Sequence, residues 1–75
     1  MREIKEGMRV RHFKGNYYDI KGIAEHTETG EKFVVYRADY GEHKLYIRPL
    51  NMFLEEVDRV KYPNVAQKYR FEIVE

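Results

Sequence analysis

The sequence predicts an all-β domain: a small five-stranded SH3-like barrel with one short helical turn before the last strand. Short apolar or alternating segments recur along the chain, and clusters of glycine, asparagine and aspartate separate them. Residues 1–75 have the length of one domain, and the 43% hydrophobic content is that of a folded chain. A sheet this small with one apolar face is best buried by curling onto itself.

The first two strands are predicted on either side of a tight turn. Residues 8–13 show the alternation of a half-buried strand. One set is Met8, Val10 and His12, and the other is Arg9, Arg11 and Phe13. Gly15 and Asn16 form the turn, since both residue types tolerate positive φ. The second strand covers residues 17–25, and Gly22 inside it indicates a bulge or close packing.

Two further strands follow, each bounded by turn residues. Residues 27–30 form a hairpin loop that ends on a glycine. Residues 33–36 are continuously apolar, which predicts a central strand covered on both faces. After a turn at residues 39–42, a fourth strand at residues 45–48 ends before Pro49, which has no backbone N–H to donate.

Beyond the fourth strand the apolar spacing becomes helical. Leu50, Leu54 and Val57 lie at i, i+4 and i+7, which predicts one or two helical turns. Residues 58–68 lack regular alternation and are predicted to form a loop, and residues 69–74 alternate as a last strand. The alternative fold is a sheet packed under a longer helix over residues 50–62.

Four segments form an ordered set with a weaker fifth at residues 69–71 (YRF): residues 10–18 (VRHFKGNYY), 26–29 (HTET), 34–37 (VVYR) and 48–53 (RPLNMF). In this order they resemble the motifs of a small bacterial family, domain of unknown function 1653. The similarity covers residues 7–57 and, more weakly, the start of the last strand, whereas the loop at residues 59–67 departs from the family pattern. The resemblance implies a compact β domain similar to SH3-like barrels, with no established activity.

Composition argues against several classes of function. The chain has no Cys and no Ser, and Thr27 and Thr29 lie in a predicted turn, so we expect no enzyme activity. The three histidines are too far apart for a local ligand pattern, so we expect no metal site and no other cofactor. His12 is interpreted as a histidine at the edge of the core. No apolar run is long enough to span a membrane, and we expect a cytoplasmic protein.

The net charge is only +1, but the charges are unevenly distributed. Residues 1–21 carry six Lys or Arg and three acidic residues, a net of +3, whereas residues 22–75 carry a net of −2. Aromatic residues lie among these basic residues, as in proteins that bind single-stranded nucleic acid. The alternative interpretation is a solvated face with cross-strand ion pairs.

The main functional hypothesis is a non-catalytic binding module for nucleic acid or a nucleotide-like anion, with weak and salt-dependent binding. The alternative is a module that binds another protein or peptide, or a protomer of a homo-oligomer, through a strand edge or a tyrosine patch. For Arg37 and Arg48, which lie at strand ends, an internal ion pair with Asp39 or Glu42 is as well supported as a role in binding. The candidate residues are Arg9, Arg11 and Lys14 for phosphate contacts, Tyr17, Tyr36 and Tyr46 for stacking, and Arg37 and Arg48 for orientation.

Overall fold

The chain folds into one antiparallel sheet with a single short helix, as seen in a computed structural model that describes residues 3–74. The strand order is β4-β3-β2-β1-β5, so β2 lies at the centre and β4 and β5 lie at the edges. None of the helices in residues 3–74 is long and apolar enough to cross a membrane. The elements are β1 (Arg9–His12), β2 (Tyr17–Glu25), β3 (Lys32–Ala38), β4 (Leu45–Pro49), α1 (Leu50–Phe53) and β5 (Phe71–Val74).

The turns predicted from glycine are confirmed. Gly15 has φ of 107° and donates its N–H to the His12 carbonyl at 2.8 Å, which closes the turn between β1 and β2. Gly30 ends the β2–β3 loop with φ of 74°. These are left-handed conformations that side chains with a Cβ rarely adopt.

The predicted bulge in β2 is also confirmed, and it changes which residues face the core. The register of β2 against β3 shifts between Ile20 and Gly22. Ile20 pairs with the buried Tyr36, whereas Gly22 pairs with Val35 on the opposite face. An unbroken alternation would place Ile20 and Gly22 on one face, so the extra residue at the bulge is what separates them.

The core lies on one face of the sheet. Val10, Ile20 and Val34 are at most 1% exposed, and Phe53 and Phe71 complete the buried cluster. Burial of each such side chain contributes about 1.5–3 kcal/mol. The expectation that β3 is covered on both faces is wrong in part, because its outward-facing residue Val35 is only half-buried.

The sheet is not closed into a barrel. The edge strands β4 and β5 do not pair with each other in the part of the chain that is described. Instead, α1 follows β4 directly and brings Phe53 against Phe71 of β5, with ring centroids 4.1 Å apart. Side-chain packing through α1 therefore covers the open side of the core, and the predicted backbone closure is not observed.

The short helix and the loop after it agree with the prediction, and the alternative of a long helix is wrong. Helix α1 is one turn and ends where the Leu54 N–H donates to the Leu50 carbonyl at 3.1 Å. The chain then runs antiparallel to the residues before β5, with a bridge between Glu56 and Tyr69. Arg59 donates to two carbonyls across the loop, that of Val65 and that of Gln67.

Candidate anion-binding pocket

A pocket of about 270 Å³ opens where the ends of three strands meet the long loop. The β1–β2 turn, the end of β4, the loop at residues 58–62 and the residue before β5 all contribute side chains to it. We call it the basic pocket. Its lining residues are His12, Phe13, Lys14, Arg48, Asp58, Lys61, Tyr62 and Arg70.

Positive charge dominates the basic pocket. Four of its lining residues are Lys or Arg and one is Asp, a formal net of +3 with His12 neutral. Within residues 3–74, Arg70 is the one cation of this set with a carboxylate in ion-pair range, the Glu55 Oε1 at 3.4 Å. Asp58 has a local role, since its Oδ1 accepts the backbone N–H groups of Val60 and Lys61. The cations therefore meet with little internal neutralisation.

Burial and the positive charge of the pocket affect the pKa of His12. Burial, followed by the charges of Arg48, Arg70 and Lys14, lowers the pKa of His12 from its ordinary value of 6.5 to about 4. The imidazole is therefore neutral at pH 7. Its Nδ1 accepts the backbone N–H of Lys14 at 3.1 Å, which leaves the proton on Nε2 as a hydrogen-bond donor.

The two pocket arginines, Arg48 and Arg70, are held by internal contacts but do not use all of their hydrogen-bond donors. Arg48 donates from Nε to the Tyr36 hydroxyl at 3.3 Å, and its guanidinium lies 5.8 Å from the centre of the Phe71 ring. Arg70 has a buried Nε with no hydrogen-bond partner among the described residues. A buried N–H without an acceptor costs about 1–3 kcal/mol, and because this Nε has almost no accessible surface, only the terminal nitrogens of Arg70 can meet a ligand in the pocket.

Aromatic rings form one wall of the basic pocket. Phe13 and Tyr62 meet edge to face with centroids 4.9 Å apart, and the His12 ring stacks on Phe13 at 4.5 Å. The Lys14 ammonium lies 5.5 Å from the Tyr62 ring centre and 5.9 Å from that of Phe13. The wall thus combines flat apolar area with a cation, an arrangement suited to a ring that carries a negative group.

The candidate residues predicted from the sequence do not form one surface. Lys14 and Arg48 lie in the basic pocket. Tyr36 and Tyr46 share the core-side face of the sheet with Arg48, because Tyr36 pairs with Tyr46 and Arg48 pairs with the buried Val34. The remaining four lie on the opposite, outer face: Arg9, Arg11, Tyr17 and Arg37.

Each outer-face arginine has an internal partner. Arg9 pairs with Asp39 at 2.5 Å and lies over the Tyr17 ring at 4.7 Å. Arg11 donates to the side chain of Gln67 at 3.1 Å, and Arg37 donates to the His43 carbonyl at 3.1 Å. The alternative from the sequence was an ion pair of Arg37 or Arg48 with Asp39 or Glu42. No such ion pair forms within residues 3–74.

Sequence reasoning missed most of the basic pocket. Arg70, Lys61 and Tyr62 belong to a region predicted as a loop and a strand start, without functional assignment. A signal was present, since a basic residue adjoins a tyrosine at residues 61–62 and again at residues 68–70. The pairing of β5 with β1, which sets His12 opposite Phe71, is what brings Arg70 to Lys14.

A second, apolar surface lies on the outer face near the edge strand β4. Leu45 and Ile47 are 64% and 65% exposed, which is unusual for large aliphatic side chains. A shallow pocket of about 420 Å³ adjoins them, lined by Val35 and Leu45 together with Lys21, Arg37 and His43. This surface is separate from the basic pocket because it lies across the sheet.

Fold and pocket together define a small β domain, with one antiparallel sheet, a single helical turn and a basic pocket at the strand ends. The sequence pattern of the family described as a protein of unknown function, DUF1653, matches residues 8–73. The chain belongs to this family. No curated protein matches it.

A solved structure supports the same family assignment. The crystal structure of a DUF1653 protein from Bordetella bronchiseptica superposes with a TM-score of 0.75 at 32% sequence identity. The match covers 96% of this chain and 88% of the other. The fold described above is therefore similar to one that has been seen by experiment.

Proposed function

We propose that the protein is a non-catalytic binding module for nucleic acid or a nucleotide-like anion, and that the basic pocket holds the anionic group. The convergence of Lys14, Arg48, Lys61 and Arg70 around a neutral His12 carries this proposal. An anion entering the pocket would neutralise cations that have few internal partners, which is a favourable exchange.

Aromatic contacts support a ligand with a flat ring rather than a bare ion. Tyr62 and Phe13 form a wall beside the Lys14 ammonium. A base lying against an aromatic side chain contributes about 1–3 kcal/mol to binding. In this arrangement the phosphate would contact the cations while the base lies on the wall.

Binding of short single-stranded oligonucleotides by the purified chain tests the proposal. We expect the affinity to fall about threefold to sevenfold between 50 and 200 mM salt, because the phosphate held in the basic pocket neutralises one or two charges and releases their counterions. Lys14→Gln should weaken binding at low salt. Lys44→Gln removes the same charge from an exposed turn and should leave binding unchanged. Absence of binding at low salt, or an affinity that does not change with salt, would contradict the proposal.

A second candidate function rests on the exposed Leu45 and Ile47 beside the edge of β4, which pairs with no other strand among residues 3–74. Such an edge is a place where another strand can pair, so a protein partner or a second copy of the chain would fit there. Light scattering distinguishes self-association from a monomer. Self-association predicts a dimer mass that Ile47→Asn converts to a monomer, with little dependence on salt.

A further inference from the structure

We propose that the basic pocket recognises a terminal phosphate, with three unesterified oxygens, rather than the phosphodiester backbone of a continuous strand. This inference rests on the proposed function, and it specifies the chemical class of the anion. Three features support it: the donors that converge on the pocket, the charge they carry, and the lack of a continuous basic track beyond it.

The donors outnumber what a phosphodiester can accept. His12 carries its proton on Nε2, and Arg48 uses its Nε internally but keeps its terminal nitrogens. Lys14 and Lys61 add two ammonium groups. A phosphodiester has two unesterified oxygens, whereas a terminal phosphate has three and accepts hydrogen bonds from more of these groups.

The charge of the pocket also fits a dianion. The residues that line its volume of about 270 Å³ carry a formal net charge of +3, or +2 when the Glu55 carboxylate paired with Arg70 is included. A terminal phosphate carries about −1.5 to −2 at pH 7, and an internal phosphodiester carries one negative charge. The dianion therefore gains more from the same set of cations.

In the part of the chain that the structure describes, basic residues do not extend the pocket into a groove along the sheet. The arginines that the sequence offered for further phosphates, Arg9 and Arg11, lie on the outer face and are already bonded to Asp39 and Gln67. A strand that follows a protein surface needs a basic track for successive phosphates. Within residues 3–74 the basic pocket is a site for one phosphate beside one aromatic wall.

Matched oligonucleotides test this inference. A tetranucleotide with a 5′-phosphate and the same tetranucleotide with a 5′-hydroxyl are titrated into the ¹⁵N-labelled chain at 50 mM salt. We expect the phosphorylated form to bind about tenfold more tightly or better, which corresponds to 1.4 kcal/mol. We also expect its amide shifts to cluster at residues 12–14, 61–62 and 70. Lys14→Gln should reduce this preference, and Lys44→Gln should preserve it.

The remaining outcomes separate this inference from the proposed function. Equal affinity for the two tetranucleotides would overturn the terminal-phosphate inference and leave oligonucleotide binding intact. Absence of binding by both would overturn the inference and the proposed function together. Inorganic phosphate and a nucleoside 5′-monophosphate identify the source of the phosphate: equal affinity for the two supports a free phosphate, and a preference for the nucleotide supports a nucleotide end.

Discussion

Phe53 of α1 and Phe71 of β5 stack face to face, with ring centroids 4.1 Å apart and planes within 4° of parallel. Both side chains are at most 1% exposed. The contact joins the helix that follows the edge strand β4 to the other edge strand, β5, although these two strands share no backbone pairing within the described residues 3–74. The helical turn thus has a structural role, since it places an aromatic ring over the open side of the sheet.

Replacement of either ring should destabilise the fold, and the two effects should not add. We expect Phe53→Leu and Phe71→Leu each to lower the free energy of unfolding by about 1–2 kcal/mol, through lost burial and incomplete repacking. In a double-mutant cycle the coupling energy should be about 0.5–1.5 kcal/mol. Urea unfolding of the four proteins measures these quantities, and additive losses would show that the rings stabilise the fold independently.

The sequence predicted the elements because local signals define them. The strand over residues 17–25, the bulge at Gly22 and the turns at Gly15 and Gly30 follow from alternation and from residues that tolerate positive φ. Closure of a sheet is different, because it depends on whether edge strands separated in sequence pair with each other. Here Phe53 covers the core by side-chain packing, and no local pattern encodes that choice.

The site was predictable only in part, for a related reason. Basic and aromatic composition identified Lys14 and Arg48, which lie in the basic pocket. The same basic and aromatic composition also identified Arg9 and Arg11, but the strand register places their side chains on the outer face. Arg70 joins the pocket through the pairing of β5 with β1, a long-range contact that one sequence does not reveal.

Acid should destabilise the protein through His12. The pKa of His12 is lowered to about 4 by burial and by the charges of Arg48, Arg70 and Lys14. The unfolded chain, with a histidine pKa near 6.5, therefore binds more protons between pH 6.5 and 4, and stability falls as the pH falls through that range. Because His12 is only partly buried, solvent screening keeps the loss assigned to it below the ~3.4 kcal/mol that the full pKa difference would give.

His12→Asn is the variant that isolates this effect. The shorter amide keeps an acceptor for the Lys14 backbone N–H but does not titrate. Because carboxylates also respond to acid, the informative quantity is the difference between wild type and variant in urea unfolding at pH 4.5, 5.5 and 7. A parallel decline of the two proteins would show that His12 does not titrate as described.

Two glycines should respond in opposite ways to alanine. Gly15 has φ of 107°, so Gly15→Ala forces a Cβ into a left-handed turn and should destabilise the protein by more than about 1 kcal/mol. Gly22 has no left-handed φ and no atom within 4 Å of a new Cβ. Gly22→Ala should therefore be neutral or stabilise by about 0.4–1 kcal/mol. Thermal unfolding compares them, and equal losses would contradict this account of the two positions.

Gln67 should be the main anchor of the loop that carries the pocket residues. Its amide accepts from Arg11 at 3.1 Å and donates to the Arg11 and Tyr69 carbonyls at 3.0 and 2.9 Å. Gln67→Ala should lower stability by about 1–2 kcal/mol and increase amide exchange over residues 58–66, whereas Gln67→Glu should keep the bond from the Arg11 guanidinium but lose the two bonds donated to carbonyls. Unchanged exchange in Gln67→Ala would show that other contacts hold the loop.

The location of ligand-induced shifts tests the central claim most directly. The ¹⁵N-labelled chain is titrated at low salt with a mixture of short oligonucleotides that carry 5′-phosphates, and amide shifts are mapped onto the sheet. We predict shifts concentrated at His12, Lys14, Tyr62 and Arg70, with a rise in the pKa of the His12 ring as an anion enters. Shifts confined to Arg9, Arg37 and the rest of the outer face, or an unchanged spectrum, would contradict an anion-binding pocket.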